Sequence, residues 1–139
     1  MSFVGSYPHA LDAKKRVFIP AKYRDELGDE FYITRKFGKY LSIYTAEDWQ
    51  TFVEKIEKLP ESVAEQIQDF ILGAAQKCTP DASGRIILDD RLMKHAGIEK
   101  NVVVLGCGDH AEIWDEESYQ NCLNCYYLPC GIILDCSRN

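Results

Sequence analysis

Two pentapeptides carry the side chains of this sequence best suited to chemistry, Asp12-Ala-Lys-Lys-Arg16 and Asp81-Ala-Ser-Gly-Arg85. An aspartate followed four residues later by an arginine on a tight turn can accept the turn's amides and pair with the guanidinium, which staples the turn. The first copy carries more charge. Lys14, Lys15 and Arg16 are consecutive, and three cations on one turn repel each other unless an anion or solvent neutralises them; phosphate is the natural anion. In the second copy Ser83 and Gly84 replace the lysines, so that turn is expected to hold an anion weakly or to serve assembly. The candidate anion-binding residues are therefore Lys14, Lys15, Arg16 and Arg85, with Asp12, Asp81 and Gly84 shaping the turns.

Other chemistries find less support. His9, His95 and His110 are far apart, and none stands at i, i+4 from another histidine or a cysteine, so they read as ordinary surface or core residues. The spacing Cys122-x2-Cys125-x4-Cys130-x5-Cys136 offers four thiols, but zinc ribbons pair two close C-x2-C knuckles. No metal and no cofactor are assigned. Gly106-Cys-Gly108 lacks the third glycine and following helix of a dinucleotide site and reads as a turn between strands. No nucleophile, base and orienting group assemble from these motifs, so an enzyme acting on a small-molecule substrate is not expected.

The elements that must position the two turns also occur twice. At an offset of 69 residues Asp12–Arg16 falls on Asp81–Arg85, each followed by an apolar triplet, and Gly28 falls on Gly97. One residue later in register, Tyr44–Trp49 aligns with Trp114–Tyr119. Such recurrence is the mark of an internal duplication. Each copy reads as strand, turn, strand, short helix, further strands and a helix. Pro20 suits a first helical turn and Gly28 its end, which predicts a helix over 20–27; Asp89 or Asp90 caps the equivalent helix, ended by Gly97. Residues 31–34, 41–44, 102–105 and 112–114 are short, β-branched or aromatic runs and read as strands. Thr45 caps a helix with Trp49, Phe52, Val53, Ile56 and Leu59 on one face, Pro60 stops it, and Ser62 starts a second helix. Trp49, Trp114 and Tyr119 are expected to pack against the strands.

The expected fold is mainly β with peripheral helices. Short strands joined by sharp turns cannot bury both faces within one copy, so the two repeats of one chain must intertwine into a barrel. The organisation read from the sequence is a first repeat with its helix at 1–60, a linking helix at 61–76, a second repeat at 77–121, and an atypical cysteine-rich tail at 122–139.

Bulk properties set outer limits. A chain of 139 residues with 46% hydrophobic and 27% charged residues can bury a core without staples. Its apolar runs are too short to span a bilayer, and its first residues lack the form of a secretory signal, so a cytoplasmic location with reduced thiols is expected. The net charge of −6 would oppose nucleic-acid binding if spread evenly. It is not spread evenly. Up to Tyr44, eight basic side chains face five acidic ones, a net of +3, and the remainder has eight against seventeen, a net of −9. A basic first third on an acidic body can hold phosphate on one face.

The doubled D-x-x-x-R motif resembles that of the MraZ family, relatives of the AbrB-type swapped-hairpin transcription factors. Further matching residues are Gly5, Leu11-Asp12-Ala-Lys14, Ile19-Pro20-Ala-Lys-Tyr-Arg24 and Glu112-Ile-Trp-Asp115, so the likeness covers about residues 1–120. It implies an AbrB-like swapped-hairpin, or double-split, β-barrel. It also implies a nucleoid-associated regulator that binds double-stranded DNA at short promoter repeats upstream of the division and cell-wall gene cluster containing its own gene, and a ring-like homo-oligomer. Related domains sequester proteins instead, so an antitoxin-like protein-binding module is the alternative. Two features depart from the family. Lys15 stands where glycine is usual, as at Gly84, and costs up to about 1 kcal/mol if the turn needs a positive φ. Beyond Tyr119 the family's charged helical tail gives way to the cysteine-rich segment, which is either a specialised tail or the product of a reading-frame change.

Overall fold

The two strands flanking each D-x-x-x-R turn find their partners in the other copy. The computed structural model describes residues 3–126, so the tail from residue 127 on, Cys130 and Cys136 included, lies outside the described residues. The first copy contains β1 (Ser6–Ala10), β2 (Arg16–Phe18), α1 (Ala21–Leu27), β3 (Phe31–Arg35), β4 (Leu41–Thr45) and α2 (Ala46–Glu57). After α3 (Glu61–Phe70) and a short 3-10 turn at Leu72–Ala74, the same series recurs as β5 (Gln76–Cys78), β6 (Arg85–Ile87), α4 (Asp90–Ala96), β7 (Asn101–Gly106), β8 (Ala111–Asp115) and α5 (Glu116–Tyr126).

A six-stranded antiparallel sheet runs β1-β7-β8-β4-β3-β5, and β2 pairs with β6 in a separate two-stranded ribbon. The exchange is reciprocal. β1 of the first copy lies on β7 of the second, with Pro8 opposite Val103, and β5 of the second lies on β3 of the first, with Phe31 opposite Cys78. Pro8 is tolerated because β1 is an edge strand with one unpaired side. The ribbon crosses the copies as well, with Val17 opposite Ile86. Neither copy could bury its apolar residues alone. Val17, Ile19, Ile86 and Leu88 of the ribbon share one core with Phe31, Ile33, Ile43, Val102, Val104 and Ile113 of the sheet, which is the swapped-hairpin architecture expected from the repeat.

Local chemistry sets the helices. Asp89 accepts the Arg91 amide at 2.9 Å and α4 stops at Gly97, in the left-handed region with φ 66°. Thr45 accepts the Asp48 amide at 3.0 Å and opens α2. Pro20 differs from expectation, and Pro60, which follows the end of α2, takes the same place before α3. Both sit at the N-cap with ψ 141°, so α1 begins at Ala21 rather than Pro20 and α3 at Glu61 rather than Ser62. Leu59 falls beyond the end of α2 and is exposed. Of the three aromatic residues expected to pack, Trp114 is buried and stacks on Tyr40 at 4.9 Å. Trp49 is half-buried against Tyr32, and Tyr119 is half-buried with its ring edge-on to Trp114.

Candidate functional site

Because β2 and β6 are antiparallel neighbours, the ribbon places both D-x-x-x-R turns together, with Phe18 opposite Arg85 and Arg16 opposite Ile87. In each turn the aspartate accepts two backbone amides through Oδ1. Asp12 takes those of Lys14 (2.9 Å) and Arg16 (2.8 Å), and Asp81 takes those of Ser83 (2.9 Å) and Arg85 (3.0 Å). The arginines behave differently. Arg16 Nε donates to Asp12 Oδ2 at 2.7 Å, and its Nη1 reaches Asp81 Oδ2 of the other copy at 3.1 Å. Arg85 does not mirror this; its Nε lies 3.6 Å from Asp12 Oδ2. The four charged groups form one neutral cluster across the two copies, centred on Asp12.

This cluster holds both carboxyls below their ordinary value. For Asp12 the main cause is the Arg16 amide, with the Arg16 guanidinium and the Lys14 amide adding to it; for Asp81 it is the Arg85 amide. A group whose folded pKa is depressed contributes stability that is present above its unfolded pKa and is lost as pH falls through the folded value. The turns' contribution should therefore be intact above about pH 5 and be lost progressively as pH falls below about 4 toward the depressed folded values. Asp12→Asn keeps an oxygen for the amides but cannot ionise, so its melting temperature should fall less steeply with acid than that of the unaltered chain. Parallel acid limbs would show that Asp12 is not coupled to folding.

Lys14 and Lys15 project from the same turn and are exposed, and among the described residues neither forms an ion pair. Lys15 adopts φ 59°, the one non-glycine positive φ among the described residues, and Gly84 takes φ 80° at the matching place. Lys15 thus holds a conformation natural to glycine. A Cβ at Gly84 would also stand 2.5 Å from the guanidinium carbon of Arg24, so Arg24 would have to move aside. Arg24 was not singled out by the motifs. Its Nε donates to the Ile19 carbonyl at 3.0 Å, and its guanidinium lies 5.5 Å from the centre of the Phe18 ring, with Arg85 at 5.7 Å from the same centre. Met93 occupies the equivalent position of the second copy, so the asymmetry Arg24/Met93 was the available signal.

Of the four candidate anion-binding residues, Arg16 and Arg85 begin the two strands of the β2–β6 ribbon and meet through Asp12 and Asp81, and Lys14 and Lys15 lie in the turn that leads into β2. Two of them, Arg16 and Arg85, are half-buried on the aspartates, and the two lysines extend beyond them. Such a surface can offer lysine ammoniums as phosphate contacts while arginine N–H groups not used by Asp12 and Asp81 face the same solvent.

Comparison with known proteins agrees with the duplicated layout. The family described as "MraZ protein, putative antitoxin-like" matches residues 2–70 and again residues 71–125. A protein of Lachnoclostridium phytofermentans named transcriptional regulator MraZ is 38% identical over 120 residues, covering 86% of this chain and 85% of its own length. One of the same name from Carboxydothermus hydrogenoformans is 38% identical over 125 residues, covering 88% and 87%. Another from Leuconostoc citreum is 38% identical over 121 residues, covering 86% and 85%.

Proposed function

This chain belongs to the MraZ family, and on that footing we propose that it is a transcriptional regulator that binds double-stranded DNA through the turns of its β2–β6 ribbon. The observation that carries the reading is the pair of exposed lysines, Lys14 and Lys15, which form no ion pair among the described residues and are set beside the neutral Arg16/Arg85/Asp12/Asp81 cluster. Among the described residues nothing neutralises those ammoniums, so phosphate gains contact there with little to displace. Arg16 and Arg85 give the docking face its shape and present their remaining N–H groups to a phosphate or a groove edge. The sites are short promoter repeats upstream of the division and cell-wall genes, and the protein acts on the nucleoid in the cytoplasm.

Selection of bound sequences from a random DNA pool tests this reading. Enrichment of one short repeated element is expected; a pool that emerges unenriched at low salt would refute DNA recognition and favour the antitoxin-like, protein-binding alternative.

Assembly into a ring-like homo-oligomer follows from the same family reading, and an apolar surface supports it. Phe37 is 66% exposed, Leu59 and Val63 are also open to solvent, and a cavity of about 420 Å³ between α2, α3 and the β3–β4 turn is lined by Phe37, Phe52, Ile56, Leu59, Ile67 and Ile71. A second copy covering this surface would remove it from water. Sedimentation at micromolar concentration should give a species larger than a tetramer, and Phe37→Asp should shift it toward smaller species. A monomer in the unaltered chain, and also in a chain ended after Tyr119, would exclude the ring.

A further inference from the structure

We propose that the β7–β8 turn is a divalent-metal site of the zinc type, with Cys107, His110 and Glu112 as ligands and a fourth position open to water. One ligand atom from each of these residues lies within 4.8 Å of the other two. Metal bonds of about 2.0–2.3 Å at a tetrahedral angle place ligand atoms roughly 3.3–3.6 Å apart, so the three donors need to close by only about an ångström. His110 Nε2 and Glu112 Oε2 are already 3.0 Å apart.

The surroundings orient each donor. His110 Nδ1 faces Asp109 Oδ1 at 2.8 Å, the carboxylate–histidine arrangement that presents Nε2 to a metal. Trp114 Nε1 donates to Glu112 Oε1 at 2.9 Å, which directs the other oxygen toward His110. The Cys107 amide donates to the His110 carbonyl at 2.9 Å, closing the turn that carries both side chains. Cys107 is a half-buried thiol outside any disulfide. His110 and Asp109 border a cavity of about 250 Å³, shared with Tyr44, Asp48, Thr51, Phe52 and Lys55, which gives an ion and its water a route in.

Two arguments favour a ligand set over ordinary packing. Counting back from the aligned strands β4 and β8, the same places in the first copy are Phe37, Tyr40 and Ser42. The fold therefore accepts apolar or neutral residues there, and the second copy has replaced all three with metal-binding types. The second argument is electrostatic. Glu112 is 1% exposed and is held by His110 Nε2 at 3.0 Å and Trp114 Nε1 at 2.9 Å, so a bound ion would take over from His110 the neutralisation of a buried carboxylate. A divalent ion held by one thiolate and one carboxylate forms a neutral site. The metal would also stiffen the turn to which the N-terminal segment is fastened, since Phe3 and Gly108 exchange backbone hydrogen bonds at 2.7 and 2.8 Å.

Cobalt(II) is a suitable probe because a thiolate ligand gives a near-ultraviolet charge-transfer band and tetrahedral coordination gives intense visible bands. The full-length reduced chain would carry Cys125→Ser, Cys130→Ser and Cys136→Ser so that tail thiols do not compete. One equivalent of cobalt should produce both sets of bands, and one equivalent of zinc should abolish them. Cys107→Ser should remove the thiolate band. Asp109→Asn alters an exposed positioning residue, so it should leave the circular dichroism unchanged while weakening cobalt binding about 10- to 100-fold. Absence of the bands, their survival in Cys107→Ser, or unaltered affinity in Asp109→Asn would overturn the site. None of these outcomes depends on DNA binding.

Discussion

Replacing Lys14-Lys15 by Ser-Gly, the pair found at the same place in the second copy, should leave the chain folded and nearly abolish its binding to repeated operators. The structural half of this expectation comes from backbone geometry. Lys15 has φ 59°, a region in which a side chain is strained and glycine is not. Lys15→Gly should therefore be neutral or stabilising by up to about 1 kcal/mol, with part of the gain cancelled by glycine's greater freedom in the unfolded chain. Lys14 is exposed and has no ion pair among the described residues, so Lys14→Ser has little to lose. In the turn Asp12 Oδ1 accepts the backbone amides of residues 14 and 16 and the Asp12 carbonyl accepts that of residue 15, and neither substitution removes these bonds.

The binding half follows from counterion release. Losing two phosphate contacts should lower the slope of log affinity against log salt by about 1.8 for each bound chain. If several subunits engage successive repeats, the loss recurs in each of them and the joint affinity falls steeply. Fluorescence anisotropy on single and multiple repeats at several salt concentrations would measure both. The reverse graft tests the same geometry from the other side. Lysine at Gly84 would combine φ 80° with a Cβ 2.5 Å from the Arg24 guanidinium carbon, so Ser83→Lys/Gly84→Lys should destabilise the chain even though it adds cations. If the Ser-Gly chain binds DNA with an unchanged salt slope, the lysines are not phosphate contacts, and the ribbon turns are structural staples.

What the sequence revealed and what it concealed divide along the range of the forces involved. The end of α4 at Gly97 and the caps at Asp89 and Thr45 depend on residues a few positions apart, and the duplication on a fixed offset of 69; spacing exposes both, and comparison of the two turns points to the positive φ at Lys15. The partners of the arginines were not readable. Arg16 reaches Asp81, and Arg85 approaches Asp12 rather than its own Asp81, because the β2–β6 register brings the turns together across the copies. Arg24 was missed for the same reason, since its neighbour Gly84 is remote in sequence. Pro20 was placed one position too far into its helix because φ alone suits both the N-cap and the first turn. Cys107, His110 and Glu112 are close in sequence, yet helical spacing is the wrong ruler for them; only a strand turn folds C-x2-H-x-E onto one point.

Tyr23→Ala should be among the most destabilising single changes in the chain, lowering stability by about 3–5 kcal/mol, the range for deleting a large buried aromatic side chain. Tyr23 is wholly buried between Phe3 and Tyr7, with edge-to-face contacts at 5.4 and 5.3 Å. Its hydroxyl is shared between the Val4 and Gly5 carbonyls, each at 2.8 Å, so one side chain on α1 anchors both the N-terminal segment and the entry to β1. Burial pushes its phenol up to about 12, so it stays neutral and able to donate through the physiological range. Tyr23→Phe separates the hydroxyl from the ring. The Gly5 carbonyl keeps the Gly106 amide as a donor at 2.8 Å, which leaves Val4 as the carbonyl deprived of its partner. The loss should then be only about 1 kcal/mol. Urea unfolding of both variants would give the two values. Since Tyr23 supports the fold and contributes nothing to the ribbon surface, folded Tyr23→Phe should keep the salt slope of the unaltered chain; a lowered slope would mean that α1, and Arg24 with it, sets the position of the DNA-facing turns.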